Sequence, residues 1–348
     1  MPLDFSKWAI LSPKNPTGLG RMAEDAKSVL GIPCHFVSDT YHLHNQITEY
    51  DLAVPAKLSK EELIAVLQSI PGLQAILSFE SLKWHPLLST VCKELGIQLF
   101  CVIMWEWFGG RDPIWKEASA LICPSSFTRS IVESYGHTHT LTLPWVLDLA
   151  KLPKRSITGP ANIFGHNAGV IDGQDRKGTL DTLEAFSKVK DPKLRLKLNY
   201  VHSELTLPKL DPRVELKAGA CNHTAELFAG IDVAIQPSKM EGIGFMILEA
   251  VCSGLPTISL NYPPMNTYVQ NASLLVSKSI FKRRALSTHL YPHAHLYLPN
   301  TKSLSEAIAW CTRNDLSMIS ENNRAWAEKH FDPINLKQQW IEAITPYF

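Results

Sequence analysis

Residues 237–250 read Pro-Ser-Lys-Met-Glu-Gly-Ile-Gly-Phe-Met-Ile-Leu-Glu-Ala. This stretch follows an apolar run, Val233–Gln236, and opens an apolar helical pattern that Gly254 ends. The glycines at 242 and 244 let the backbone approach a ligand closely, and the start of the following helix offers unpaired N–H groups. The order strand, glycine loop, helix therefore predicts an α/β unit that can seat an anion such as a diphosphate.

Two glutamates lie in this stretch, eight residues apart. Glu241 falls in the loop, and Glu249 falls about one turn into the predicted helix. A carboxylate can accept two hydrogen bonds from the neighbouring hydroxyls of a ribose or a hexose. The alternative is structural, with one glutamate in a solvated loop and the other on a helix surface.

Short apolar runs alternate with amphipathic segments along the rest of the chain, which predicts parallel sheets covered by helices. Ser59 and Glu62 fit the capping box at the start of one of these helices. The predicted helices are Ser59–Ser69, Thr179–Val189, Thr224–Ala229 and Phe245–Cys252, with two or three more between Ser303 and Phe348. The predicted strands are Trp8–Leu11, Cys34–Val37, Ala75–Phe79, Gln98–Ile103, Ala120–Cys123, Thr140–Leu143, Ala161–Phe164, Leu194–Val201, Val214–Leu216, Val233–Gln236, Pro256–Leu260 and Leu274–Val276.

The pattern restarts after Pro144–Pro160, a stretch with little periodicity that we interpret as a linker. The predicted fold is α/β, with two doubly wound Rossmann-like domains that face a cleft. We place an N-terminal domain at residues 1–150 and a C-terminal domain at residues 151–332. Residues 333–348 are predicted to form a helix that packs back on the first domain through Leu336, Trp340, Ile341 and Ile344.

Charge is distributed unevenly along the 348 residues, although the formal net charge is only +1. Residues 1–150 contain 11 Lys and Arg against 15 Asp and Glu, and residues 151–348 contain the other 23 and 18. The second half, with a net charge of +5, is therefore the better candidate for holding an anion.

The seven cysteines form no C-x-x-C pair, and most lie in apolar runs, which predicts reduced core residues of a cytoplasmic protein. The first residues, Met-Pro-Leu-Asp, do not resemble a signal peptide. The longest apolar stretch, residues 97–108, is too short to span a bilayer, so we expect no membrane span.

The segment 233–256 resembles the E-x7-E signature of retaining family-four glycosyltransferases of the GT-B fold. In that family the first glutamate contacts the donor sugar and the second contacts the ribose of the nucleotide. The resemblance gives these roles to Glu241 and Glu249. It implies that residues 1–150 form the acceptor-side domain and residues 151–332 the nucleotide-sugar-binding domain. It also implies donor contacts from Gly242, Ile243, Gly244 and Phe245.

Two further stretches match the pattern of the family. Lys177-Gly178 opens a helix that ends in Ala-Phe, and a lysine at a helix N-terminus gains nothing from the helix dipole unless it faces an anion. The family's usual arginine at the preceding strand end is replaced by His166-Asn167, and Arg176 is the candidate for the missing cation. Near the N-terminus, Gly18 and Gly20 resemble the glycine-rich loop that meets the donor phosphate, although a tight turn would look the same.

Glu106 lies between Trp105 and Trp107 where many relatives carry a histidine. The aromatic faces could pack a sugar while Glu106 binds acceptor hydroxyls or acts as a base. Equally, the tryptophans could anchor the core while Glu106 is solvated. Both interpretations stay open at this stage.

No cofactor or metal is expected. The chain has no Asp-x-Asp triplet of the kind that holds a divalent metal on a diphosphate in the GT-A fold. His42 and His44, His137 and His139, and His293 and His295 form pairs without a third ligand at recognisable spacing.

Together, the residues and the resemblance imply a retaining, metal-independent glycosyltransferase that moves a hexose from a nucleotide-diphosphate sugar to a hydroxyl. In the family, the leaving phosphate is thought to help deprotonate the acceptor, and a covalent route is the alternative. The acceptor is a glycan, a small molecule or a modified base in nucleic acid, the last supported by Lys282-Arg283-Arg284, which as a basic segment is more commonly a surface loop. A nucleotide-sugar-binding protein without turnover is the rival from another class, and Glu241 disfavours it.

Overall fold

The structure is a computed structural model that describes residues 3–15, 18–38, 51–55, 57–80, 85–219, 221, 224–284 and 295–348. The chain divides into two units. Unit 1 comprises Met1–Asp148 and Phe331–Phe348, and unit 2 comprises Leu149–His330. The chain therefore passes from unit 1 into unit 2 and returns to unit 1.

Unit 1 contains a parallel sheet of seven strands in the order β3-β2-β1-β4-β5-β6-β7. Most of its strands are buried along all or nearly all of their length, as is usual for a parallel sheet with helices on both faces. The strands are β1 Trp8–Ser12, β2 Cys34–Ser38, β3 Asp51–Val54, β4 Ala75–Phe79, β5 Gln98–Val102, β6 Ala120–Cys123 and β7 Thr140–Thr142. The helices are α1 Gly18–Ala26, α2 Lys60–Gln68, α3 Leu88–Leu95 and α4 Ser126–Ser134, with a last helix from the C-terminus.

Unit 2 contains a second parallel sheet, of six strands in the order β10-β9-β8-β11-β12-β13, and an antiparallel pair, β14 and β15. Its strands are β8 Ile163–Ile171, β9 Arg195–Ser203, β10 Val214–Ala218, β11 Val233–Gln236, β12 Thr257–Leu260, β13 Leu275–Val276, β14 Lys278–Arg284 and β15 His295–Pro299. Its helices are α5 Thr179–Lys188, α6 Thr224–Phe228, α7 Phe245–Cys252, α8 Thr301–Cys311 and α9 Ser317–His330. Their apolar faces and the sheet form one core around Phe164, Phe186 and Phe228.

The predicted α/β class with two doubly wound parallel sheets is confirmed. The capping box of α2 is also present, since the Ser59 hydroxyl accepts from the Glu62 N–H and the Glu62 carboxylate accepts from the Ser59 N–H. Three strands were not predicted, namely β3, β14 and β15. The basic segment Lys282-Arg283-Arg284 therefore lies in strand β14 and not in a surface loop.

The C-terminal segment contributes α10, Pro333–Ile344, to unit 1. Asp332 caps this helix by accepting from the Asn335 N–H, and Pro333 occupies its first turn, where no N–H is needed. Leu336, Trp340 and Ile344 are buried on one face. Ile341, predicted on the same face, is only half-buried.

The seven cysteines are free, and five of them are buried. In the part of the chain that the structure describes, no helix combines the length and the apolar character that crossing a bilayer requires.

Candidate functional site

The candidate site lies where the strand order of unit 2 reverses. β8 is hydrogen-bonded to β9 on one side and to β11 on the other, so the loops after β8 and β11 leave the same edge of the sheet. Ligands of doubly wound folds bind at such a reversal, outside the carboxyl ends of the strands. The loop after β8, residues 172–178, leads into α5, and the loop after β11, residues 237–244, leads into α7.

The two loops meet in an ion-pair cluster around Glu241. Its carboxylate accepts a hydrogen bond from Arg176 Nη1 at 2.9 Å through Oε2 and one from Lys177 Nζ at 2.5 Å through Oε1. Arg176 Nη1 also donates to the carbonyl of Met240 at 3.1 Å. Three residues that the sequence placed in the site are thus brought together across 64 or 65 positions of chain.

The protonation state of Glu241 follows from these neighbours. Burial would raise the pKa of its carboxyl, but the charges of Lys177 and Arg176 and the hydrogen bonds from Lys177 and Ser238 lower it to about 2. The carboxylate is therefore ionised at neutral pH. It can accept hydrogen bonds from sugar hydroxyls, and it cannot donate a proton.

A second ion pair lies beside the first and is more deeply buried. Lys239 is only 3% exposed, and its Nζ lies 2.9 Å from Asp175 Oδ2 and 2.8 Å from Asp181 Oδ2. Asp175 also caps α5, because its two carboxylate oxygens accept from the N–H groups of Thr179 and Leu180. Sequence reasoning missed these three residues. The one available signal was the position of Lys239, which lies in the same glycine-rich loop as Glu241.

The start of α7 has the geometry expected for an anion seat. Gly244 is its N-cap, with φ of 84°, and a glycine has no side chain with which to cap the first N–H groups of the helix. Gly242 and Ile243 are buried in the loop, and Phe245 is half-buried. Glu249 is 3% exposed, so the alternative of a glutamate on the helix surface is wrong.

Gly178 allows close contact between the loop after β8 and the loop after β11. A Cβ at this position would lie 2.7 Å from the carbonyl oxygen of Pro237, and φ is +73°. Both the space and the left-handed backbone therefore require glycine. The Lys177-Gly178 pair thus sets the distance between the loops as well as supplying a cation.

The comparisons with known proteins agree with this architecture. Residues 167–285 match the family model described as "Glycosyl transferases group 1". No curated protein sequence matches the chain. Among solved structures, HepE of Anabaena, in complex with UDP, is similar over 97% of this chain and 99% of its own, with 14% identity and a TM-score of 0.71.

Two other structures cover nearly the whole chain. Sucrose-phosphate synthase from Thermosynechococcus elongatus covers 96% of both chains, with 13% identity and a TM-score of 0.63. WaaG, a glycosyltransferase involved in lipopolysaccharide biosynthesis, covers 97% of this chain and 99% of its own, with 13% identity and a TM-score of 0.61. The fold is GT-B. At these identities the likeness establishes the fold, and the matched family segment supports a place in the glycosyltransferase superfamily.

His166 does not supply the positive charge of the arginine that the family resemblance predicts at the end of this strand. The strand does not end there, since β8 continues to Ile171. The ring is fully buried, with Nδ1 2.7 Å from the Ile235 carbonyl oxygen and Nε2 2.9 Å from Thr179 Oγ1. Burial lowers the pKa of His166 to about 4, so the ring is neutral at pH 7. Arg176, which contacts Glu241, is the second cation of the cluster.

The remaining candidates, Gly18, Gly20 and Glu106, belong to unit 1. Gly18 and Gly20 lie in the first turn of α1. A Cβ on Gly20 would lie 2.0 Å from the carbonyl oxygen of Asn15, so the chain's own backbone accounts for this glycine. A Cβ on Gly18 would meet nothing within 4 Å.

Glu106 follows β5 in a turn where the Trp107 N–H donates to the Met104 carbonyl. It is 7% exposed, so the interpretation of a solvated carboxylate is wrong. Trp105 is buried with its ring edge-on to Phe127 at 5.2 Å, which places it in the core and not on a sugar-binding face.

Two of the histidines that suggested a metal hydrogen-bond to backbone carbonyls instead. His137 Nε2 lies 2.9 Å from the carbonyl oxygen of Gly110, and His139 Nε2 lies 2.9 Å from that of Trp115. Within the described ranges, no group of three or more His, Cys, Asp or Glu residues could hold a metal ion. His42, His44 and His293 lie outside those ranges.

Proposed function

We propose that the protein is a retaining glycosyltransferase that transfers a hexose from a nucleotide-diphosphate sugar to a hydroxyl acceptor without a metal. The observation that carries the proposal is the convergence of Arg176 and Lys177 on Glu241, at the strand-order reversal and beside the N-terminus of α7. Two cations and a helix N-terminus supply the positive charge that a diphosphate needs. The UDP-bound state of HepE makes UDP the first nucleotide to test.

In the proposed reaction, the bond between the anomeric carbon and the diphosphate oxygen breaks, and a bond from the acceptor oxygen forms on the same face. Arg176, Lys177 and the start of α7 stabilise the charge that develops on the leaving diphosphate. Glu241, being ionised, accepts hydrogen bonds from hydroxyls of the donor sugar. Glu249 holds the ribose hydroxyls. The acceptor proton passes to the leaving phosphate, as the family resemblance implies.

The first test is a thermal-shift panel of UDP-, GDP-, ADP- and TDP-sugars, followed by a measurement of donor hydrolysis with the best ligand. A rise in melting temperature with one base, together with release of the free sugar, would support the proposal. Binding without hydrolysis, and without transfer to any of a set of glycan and small-molecule acceptors, would favour a nucleotide-sugar-binding protein.

A second test concerns the metal. Because the charge of the diphosphate is met by Arg176, Lys177 and a helix N-terminus, we expect hydrolysis and transfer to continue in excess EDTA. Initial rates with EDTA, and after addition of Mg²⁺ or Mn²⁺, check this. Loss of activity that either metal restores would contradict metal-independent transfer.

A further inference from the structure

Lys239, in the loop after β11, contacts three neighbouring elements of unit 2. Its backbone N–H donates to the Arg176 carbonyl at 2.8 Å, and its ammonium group pairs with Asp175 and Asp181. Its own carbonyl accepts from the N–H of Tyr297 in β15 at 3.0 Å. One residue thus connects the loop after β8, the first turn of α5 and the hairpin strand β15.

The contacts of Lys239 lie on either side of the two cations. Asp175 immediately precedes Arg176 and Lys177, and Asp181 is in the first turn of the helix that follows them. The backbone of Arg176 is held by Lys239 itself. Lys239 therefore holds the chain before these cations through Asp175, the backbone of Arg176 directly, and the helix after them through Asp181.

We propose that Lys239 is a positioning residue, which with Asp175 and Asp181 holds Arg176 and Lys177 in the arrangement that binds the diphosphate. The inference rests on the proposed function. A buried ion cluster contributes little net stability compared with well-packed apolar residues, and in some proteins its role is instead to select one arrangement of the chain. In this protein, the arrangement to be held is that of the Arg176 and Lys177 side chains, which are flexible and must bind the same diphosphate.

The sign of a charge change separates positioning from simple electrostatics. Asp181→Asn makes the cluster more positive by one unit, so electrostatics alone would tighten the binding of a diphosphate. Positioning predicts the opposite, because Lys239 loses one of its two anchors. The double variant Lys239→Met with Asp181→Asn leaves the net charge of the cluster unchanged, so any loss of affinity in it reflects geometry.

The experiment measures the affinities of UDP, inorganic pyrophosphate and uridine by calorimetry for the wild type and these variants. We expect UDP and pyrophosphate to bind about tenfold more weakly to both variants, the change that corresponds to one charge-assisted hydrogen bond, with uridine unchanged. Asp181→Glu, which keeps the charge, should recover most of the affinity. The ratio of UDP to uridine affinity is a readout that general loosening of the fold would not move.

Arg213→Met is the matched control. Arg213 forms a partly buried ion pair with Asp211 and precedes β10, at the opposite end of the sheet from the site. Its loss should lower the melting temperature while leaving the UDP to uridine ratio intact. Unchanged or tighter UDP binding in Asp181→Asn would overturn the positioning role while leaving the proposed function standing. If the wild type bound no nucleoside diphosphate, the proposed function itself would fail.

Discussion

At the scale of single residues, the site contains a competition between its own anion and the anion it is expected to bind. Glu241 neutralises part of the charge of Arg176 and Lys177 at distances of 2.9 and 2.5 Å. A bound diphosphate must share these cations with Glu241 or displace its carboxylate. Donor binding would then release this carboxylate toward the hydroxyls of the sugar.

This competition predicts that Glu241→Gln binds UDP more tightly than the wild type and transfers sugar more slowly. Gln keeps the size of the side chain but removes the negative charge. The dissociation constant of UDP should fall about fivefold, or about 1 kcal/mol, because the two cations paired with Glu241 are partly exposed and solvent weakens such pairs. Calorimetry with UDP and initial rates with the UDP-sugar measure the two effects.

The control for this variant is Glu184→Gln, which removes a carboxylate paired with Lys188 on the exposed face of α5. It should change neither the UDP affinity nor the rate. Weaker UDP binding by Glu241→Gln would show that the carboxylate supports the diphosphate site and does not compete with it.

His166 makes stability depend on pH in a defined window. Its pKa is about 4 in the folded protein and 6.5 for an ordinary histidine, so the unfolded chain binds more protons between these values. The stability that the neutral His166 ring contributes is therefore fully present above pH 6.5, and it is lost as the pH falls toward 4. The free energy of unfolding should drop by about 2 kcal/mol between pH 7.5 and pH 5 through this group.

Urea denaturation of the wild type and of His166→Gln at the two pH values checks this expectation. The variant cannot titrate, so its stability should change less across the window than that of the wild type. His330→Gln, at an exposed position at the end of α9, is the control and should behave as the wild type does. Equal pH dependence in wild type and His166→Gln would mean that other groups cause it.

At the scale of elements, the contact between the two loops depends on Gly178. Gly178→Ala introduces a Cβ 2.7 Å from the Pro237 carbonyl oxygen in a left-handed backbone. We expect a loss of both stability and UDP affinity, because α5 and the loop that carries Glu241 must move apart. Gly159→Ala is a matched control, with φ of +71° and nothing within 4 Å of the added Cβ.

Gly159→Ala should cost only the strain of the left-handed backbone, about 1–2 kcal/mol, with UDP affinity unchanged. The difference between the two variants, measured by urea denaturation and calorimetry, isolates the collision with Pro237. Equal losses in the two variants would remove the role of Gly178 in spacing the loops.

Many of the strands and helices could be predicted from the sequence, because each strand and helix of unit 2 near the site contains a local run or pattern of apolar residues. Val233–Gln236 and Phe245–Cys252 have the predicted bounds. The end of β8 was misplaced, since residues 165–169 include Gly, His and Asn, which resemble a loop although the strand continues through them. β3 was missed because it starts with an aspartate, a residue that strands disfavour.

The pairing within the site could be predicted only in part. The resemblance indicated Glu241 and Lys177, but the ion pair joins residues 64 positions apart, and no local pattern encodes such a contact. It arises from the placement of β8 beside β11 in the sheet. Lys239 was not predicted as part of the site, because its burial depends on carboxylates supplied by another loop and helix.

At the scale of the whole molecule, the chain ends by completing the unit in which it began. Phe331–Phe348 belongs to unit 1 together with residues 1–148, and the Trp340 Nε1–H donates to the Pro144 carbonyl at 3.2 Å. The rings of Tyr347 and Phe348 lie 5.4 and 6.3 Å from that of Phe100 in β5. Trp340 is therefore part of the core of unit 1, and the last residues lie at the edge of this core, with Phe348 itself exposed.

Removing residues 334–348 should therefore give an unstable or inactive protein, although the deleted residues include none of the proposed site. Trp340 is fully buried, and truncation of a buried tryptophan alone typically costs about 3–5 kcal/mol, a large part of the stability of a typical domain. Trp340→Phe keeps most of the apolar volume but loses the hydrogen bond to Pro144, so its melting temperature should fall between those of the wild type and the truncated chain. Circular dichroism melts and transfer rates of the three proteins measure this series. A chain ending at Pro333 that kept the wild-type melting temperature and rate would show that α10 and the two rings that follow it are dispensable.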